Sequence, residues 1–245
     1  MKYLIALIFL VPFIGYSQTC IVAIKRNDTI MVGADSRVSQ SGINIITKQP
    51  ITRYADTSCK IISNGNGSIN FSLSGYQGVS LRNLAKRIID TAKSITAFEK
   101  AYQTSVIDYV FNSFVSANKH EVQYLLKRYK VGYAITDCVV FGREQDTMIL
   151  HYLALRRKVT DTLSIDLEWG RQDKVDSVAF GEWKEISDNH LWSNREVWKN
   201  GLKSGIEFLI NFSHTYHPDH VGGPINVLMV TRKKTMWLDK KPPCY

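Results

Sequence analysis

The sequence predicts an α+β protein in which two antiparallel sheets pack face to face, with helices on their outer sides. Three observations carry this expectation. Apolar runs of strand length, bounded by turn signals, occupy both ends of the chain and its middle. Two stretches between them place apolar residues at helical spacing instead. The resulting order of strands, two helices, strands, helix, strands suits two covered sheets in one domain. The chain has 245 residues, of which 44% are hydrophobic, enough for a sizeable core.

The elements follow in order. Residues 1–18 read as a signal peptide or short propeptide: Lys2 supplies the positive end, and an apolar run through Ile14 follows that is too short to span a bilayer. Small residues at Gly15 and Ser17 place the cut after Ser17, so Gln18 remains ahead of Thr19. Residues 19–245 form the folded domain. Apolar runs at 20–26 and 29–35, split by Asn27-Asp28, predict a hairpin. Residues 38–56 are polar, contain Gly42 and Pro50, and read as a long loop with a short strand at 43–46. Strands at 59–63 and 69–74 flank the turn sequence Asn64-Gly65-Asn66-Gly67.

The period then changes. Leu81, Leu84, Ala85 and Ile88 share one helical face, and Phe98, Tyr102, Val106, Tyr109, Val110 and Phe114 share another. A further helical piece covers 122–127. Strands return at 135–141 and 148–155, with more strand character at 163–167 and 175–180. Residues 194–212 read as one helix, and strands at 225–231 and 235–238 close the chain.

The formal net charge is +9, from basic residues scattered along the chain. They do not interleave with aromatic residues on one face, so no nucleic-acid partner is expected. No second apolar run is long enough for a membrane helix, and an exported protein, periplasmic or secreted, is expected. Cys20, Cys59, Cys138 and Cys244 fit no zinc spacing; in an exported protein they allow three disulfide pairings.

A threonine at the start of a mature chain has its own base. Its hydroxyl is a weak nucleophile, and a free α-amine titrating at roughly 7.7–8.0 can accept the proton. Thr19-Cys20-Ile21-Val22-Ala23-Ile24, followed by Val32-Gly33-Ala34-Asp35-Ser36-Arg37, resembles the N-terminus of proteasome β-type subunits and their bacterial relatives. These are N-terminal nucleophile hydrolases of the threonine type with an αββα fold. The resemblance continues through Cys59-Lys60-Ile61 and Leu73-Ser74-Gly75.

It implies a catalytic set of Thr19, Asp35, Arg37, Lys60, Gly75 and Asp219. Thr19 would be the nucleophile, and the Lys60 ammonium would favour its alkoxide. Asp35 would orient Lys60, with Arg37 packed or paired beside it. The Gly75 N–H would face the oxyanion, and Asp219 would help to orient the Thr19 amine. Peptide or another amide is the implied substrate, with no cofactor and no metal; assembly into a homo-oligomer stays open. Release of Thr19 would come by self-cleavage of the bond to Gln18.

The chain also departs from the family pattern. The stretch between Asp35 and Lys60 is longer than usual, with Lys48 as an alternative lysine. Ala179-Phe180-Gly181-Glu182 stands where the family has Gly-Ser-Gly, and Asp219-His220-Val221-Gly222-Gly223 lacks a serine. Three rival expectations follow: a catalytically inactive proteasome-like scaffold, Cys20 as nucleophile, and a metal-dependent hydrolase using His214, His217 and His220.

Overall fold

In a computed structural model of the chain, the described residues are 19–43, 50–158 and 165–239. The signal-peptide reading of 1–18, Lys48, Cys244, positions 44–46 of the strand expected at 43–46 and positions 163 and 164 of the one expected at 163–167 fall outside them.

The first hairpin forms as the apolar runs predict, from β1 (Cys20–Arg26) and β2 (Thr29–Ala34). The long loop expected after it is instead a second hairpin, β3 (Val38–Ile43) and β4 (Pro50–Ala55). These two strands pair only with each other. Strands that join no larger sheet need no alternating core face, so their sequence carries little strand signal. β5 (Ile61–Ser63) and β6 (Ile69–Gly75) follow, then α1 (Gly78–Ile89) and α2 (Ile95–Ser105). A π-helical run, Val106–Val115, continues α2, and α3 spans Lys119–Arg128. β7 (Ala134–Glu144), β8 (Thr147–Arg157), β9 (Leu167–Gln172) and β10 (Ser177–Gly181) come next.

The single helix expected over 194–212 is broken. A short α4 (Lys184–Asp188) precedes it, α5 (Arg195–Trp198) is one turn, and α6 (Leu202–Tyr216) starts after Gly201. Gly201 has φ +96°, a conformation that stops α5 from running into α6. β11 (Asn226–Thr231) and β12 (Thr235–Trp237) end the described chain.

The strands form two antiparallel five-stranded sheets, ordered β10-β1-β2-β11-β12 and β5-β6-β7-β8-β9. Side-chain alternation divides their apolar residues among three clusters. Ile21, Ala23, Ile30 and Val32 of the first sheet meet Val139, Phe141 and Leu150 of the second, so the sheets face each other. The opposite face of β1, with Cys20, Val22 and Ile24, packs on Ile206, Leu209 and Ile210 of α6. The outer face of the second sheet, with Phe71, Leu73 and Val140, packs on Leu81, Phe98, Tyr102 and Phe111. Among the described residues no helix is long and apolar enough to cross a membrane.

Candidate active site

Thr19 lies at the start of β1, a strand buried on both faces and flanked by β2 and β10. Asp35 follows β2. The antiparallel pairing sets Ile21 opposite Ala34, which carries Asp35 back alongside Thr19. Lys60 precedes β5 in the other sheet and reaches across. Thr19 and Asp35 have no exposed surface and Lys60 has 1%.

These three side chains make one closed hydrogen-bonded group. Lys60 Nζ donates to Thr19 Oγ1 at 2.6 Å and to Asp35 Oδ2 at 3.0 Å. The Thr19 hydroxyl itself donates to Asp35 Oδ1 in a short contact. Sequence reasoning gave Asp35 only the task of orienting Lys60; the geometry also puts it on the hydroxyl. Asp35 is held from three further directions, by the N–H groups of Cys20 at 3.0 Å, Arg37 at 3.1 Å and Gly222 at 3.1 Å. A buried carboxylate with this many donors is compensated.

Burial pulls the Lys60 ammonium down to about 8, while the adjacent Asp35 carboxylate works against that fall. An ammonium aimed at the threonine oxygen lowers the cost of forming an alkoxide there. The arrangement can therefore support nucleophilic attack by Thr19 Oγ1.

Gly75 ends β6, with φ +111°. A Cβ at this position would fall 2.6 Å from the Ile135 carbonyl oxygen, so both backbone conformation and space require glycine. The next residue, Tyr76, is fixed at both ends: its N–H donates to the Ile135 carbonyl at 3.0 Å, and its hydroxyl to Glu121 of α3.

The remaining expected residues fall differently. Arg37 meets Asp35 through its backbone N–H, while its guanidinium reaches further. It forms a two-pronged pair with Asp56, at 2.7 Å for each bond, and donates to the Pro218 carbonyl. That pair holds the Asp56 carboxyl below its ordinary range. Arg37 thus ties the end of the β3–β4 hairpin to the turn before β11. Asp219 lies exposed on that turn, outside the group around Thr19. The part of its motif that reaches the site is Gly222, through its N–H.

Two other neighbours come from Ala179-Phe180-Gly181-Glu182, which the sequence marked only as a departure from the family pattern. The Glu182 N–H donates to the Thr19 carbonyl at 2.8 Å. Gly181, with φ +84°, passes so close that a Cβ there would lie 1.8 Å from the Thr19 carbonyl oxygen and 2.8 Å from Ser74 Oγ.

Cys20 has the wrong environment for a nucleophile. It is fully buried, and burial together with the Asp35 charge pushes its thiol up. Cys138 is likewise a free, buried thiol, whereas Cys59 is disulfide-bonded. The three histidines do not converge. His214 Nδ1 lies 2.5 Å from the Val221 carbonyl and His217 Nε2 lies 3.0 Å from Glu185. Among the described residues no group of three or more His, Cys, Asp or Glu side chains is arranged to hold a metal ion.

No family model matches the chain, and no curated protein matches its sequence.

Proposed function

We propose that the chain is an exported threonine-nucleophile amidohydrolase of the proteasome-like N-terminal nucleophile kind, acting on peptides or other amides. The observation that carries this is the buried group of Thr19, Asp35 and Lys60, with Lys60 Nζ 2.6 Å from the threonine oxygen. A threonine placed only for packing has no need of a buried ammonium on its hydroxyl, because desolvating that charge is costly. The two facing sheets with helices outside are the layer order that the αββα hydrolase fold requires.

Thr19 Oγ1 attacks the amide carbonyl. The new C–O bond gives a tetrahedral oxyanion, stabilised by the Gly75 N–H. The Thr19 α-amine takes the hydroxyl proton and passes it to the leaving amine, and an ester to Thr19 remains. Water, deprotonated by the same amine, hydrolyses the ester. Before that amine exists, Thr19 Oγ1 attacks the carbonyl of Gln18, the peptide bond becomes an ester, and water releases residues 1–18 or what remains of them.

The rival is an inactive scaffold. It is favoured by one observation, that Thr19 has no exposed surface in the uncut chain. N-terminal sequencing by mass spectrometry separates the two. An enzyme yields wild-type protein starting at Thr19, while Thr19→Ala keeps Gln18 and hydrolyses no amide. Identical untrimmed N-termini in both proteins, with no amide hydrolysis by either, would leave the scaffold as the answer.

A further inference from the structure

We propose that Glu182 is a positioning residue for Thr19, hydrogen-bonded at its carbonyl by Ser213 of α6, with His217 at the end of that helix within ion-pair distance of its carboxylate. This rests on Thr19 being the nucleophile.

The bond from the Glu182 N–H to the Thr19 carbonyl, 2.8 Å long, lies just beyond the end of a ladder. The last pair of β1 and β10 is Cys20 with Gly181, so the Glu182–Thr19 bond comes one residue past it. Terminal bonds of a strand pair open most readily. This one orients the peptide unit of the residue whose hydroxyl is meant to react, and fraying there would swing Thr19 Oγ1 away from Lys60. A displacement of about 1 Å at a reacting atom can cost on the order of 100-fold in rate.

Helix α6 supplies the hold. Ser213 is fully buried and donates its hydroxyl to the Glu182 carbonyl. Four residues on, at the end of the helix, His217 Nε2 stands 3.6 Å from a Glu182 carboxylate oxygen. The same nitrogen lies 3.0 Å from Glu185 of α4. Residues four apart share one side of a helix, so Ser213 and His217 reach the same neighbour. The side chains of Glu182 and Glu185 are 19% and 20% exposed, which shields their pairing with His217 from much of the solvent. Residue 182 is therefore held from α6 at its main chain, with His217 within ion-pair distance of its side chain, and its backbone donor holds Thr19.

The test uses the full chain and two independent readouts. Amide hydrogen exchange by NMR reports the Glu182 N–H directly. In His217→Ala, exchange at Glu182 is expected to quicken at least tenfold, while the amides of Val22 and Ile24 within β1 keep their protection. In amide hydrolysis the same variant is expected to lose at least tenfold in kcat with KM unchanged, because the substrate's own contacts are untouched. Ser213→Ala, which removes the hydroxyl from the Glu182 carbonyl, is expected to have the same two effects.

Unchanged exchange at Glu182 in His217→Ala overturns the proposal. So does faster exchange throughout β1, which would make His217 a general stabiliser. If Glu182 alone loosens but even the wild-type protein hydrolyses no amide, the hold on Thr19 stands and the threonine-nucleophile reading is what fails.

Discussion

Lys60 and Asp35 form a buried ion pair, and its two halves are not equally supported. Asp35 keeps the N–H groups of Cys20, Arg37 and Gly222 if Lys60 is removed. Lys60 loses both carboxylate contacts if Asp35 is removed. Asp35→Ala is therefore expected to destabilise by about 3–5 kcal/mol, the cost of a buried charge left unpaired. Lys60→Met is expected to cost less, on the order of 1–2 kcal/mol, because it removes one charge and leaves the other hydrogen-bonded. Urea unfolding of both variants measures the difference, and a larger loss in Lys60→Met would contradict the account. Both variants are expected to lose amide hydrolysis by at least about 100-fold.

The same lysine sets a pH dependence. On the proposed mechanism the freed Thr19 α-amine must be unprotonated to act as base, which gives an ascending limb near roughly 7.7–8.0. Lys60 must be protonated to favour the alkoxide, and it loses its proton through about 8. The pH profile of kcat/KM is expected to be a narrow bell with its top near 8. Stability moves the other way. Lys60 sits at about 8 in the folded chain against an ordinary 10.5, so between these values the unfolded chain binds more protons. On the linkage sign, this group's contribution to stability rises with pH across that window. Loss of the Lys60 proton therefore does not itself destabilise the fold, and circular dichroism at pH 9 is expected to show an intact protein. Activity that climbs steadily to pH 10 would remove the ammonium from the mechanism.

At the scale of elements, the fit between β10 and the start of β1 allows no side chain. Gly181→Ala would force a Cβ onto the Thr19 carbonyl oxygen at a positive φ. It is expected to cost about 1–3 kcal/mol and to move Thr19, so that processing at Gln18 slows more than the loss of stability explains. Comparing the trimmed fraction with the urea midpoint checks this.

Elements were legible where burial imposed a period. Ile21, Ala23 and Val32 alternate because one side of the hairpin faces the other sheet, and Leu81, Leu84 and Ala85 repeat because α1 covers Phe71 and Leu73. The β3–β4 hairpin was missed because its strands join neither five-stranded sheet, and α4 because five residues are too few to show a helical period. Within the site, Thr19, Asp35 and Lys60 could be named from local motifs. Glu182 and Gly222 act through backbone N–H groups, which any residue type supplies, so their identities gave no sign of it. Arg37 was legible as belonging near Asp35, but its partner Asp56 sits 19 positions away beyond a hairpin that was not foreseen.

For the whole molecule, chain order and spatial order differ. The strand carrying Thr19 comes first in the described sequence, yet it lies inside a sheet between β2 and β10, and β2 in turn lies between β1 and β11. Asp35 takes one of its N–H donors from Gly222. The described site is thus assembled from the first and the last parts of the domain. This has a consequence in time. While the chain is still emerging during synthesis, the first hairpin has neither flanking strand, and Asp35 lacks the Gly222 donor. A chain cut short before Gly222 would be expected to keep Gln18, however long it waits. On the proposed mechanism, trimming would then act as a certificate that the chain had been made and folded at least through Gly222, whose N–H completes the setting of Asp35.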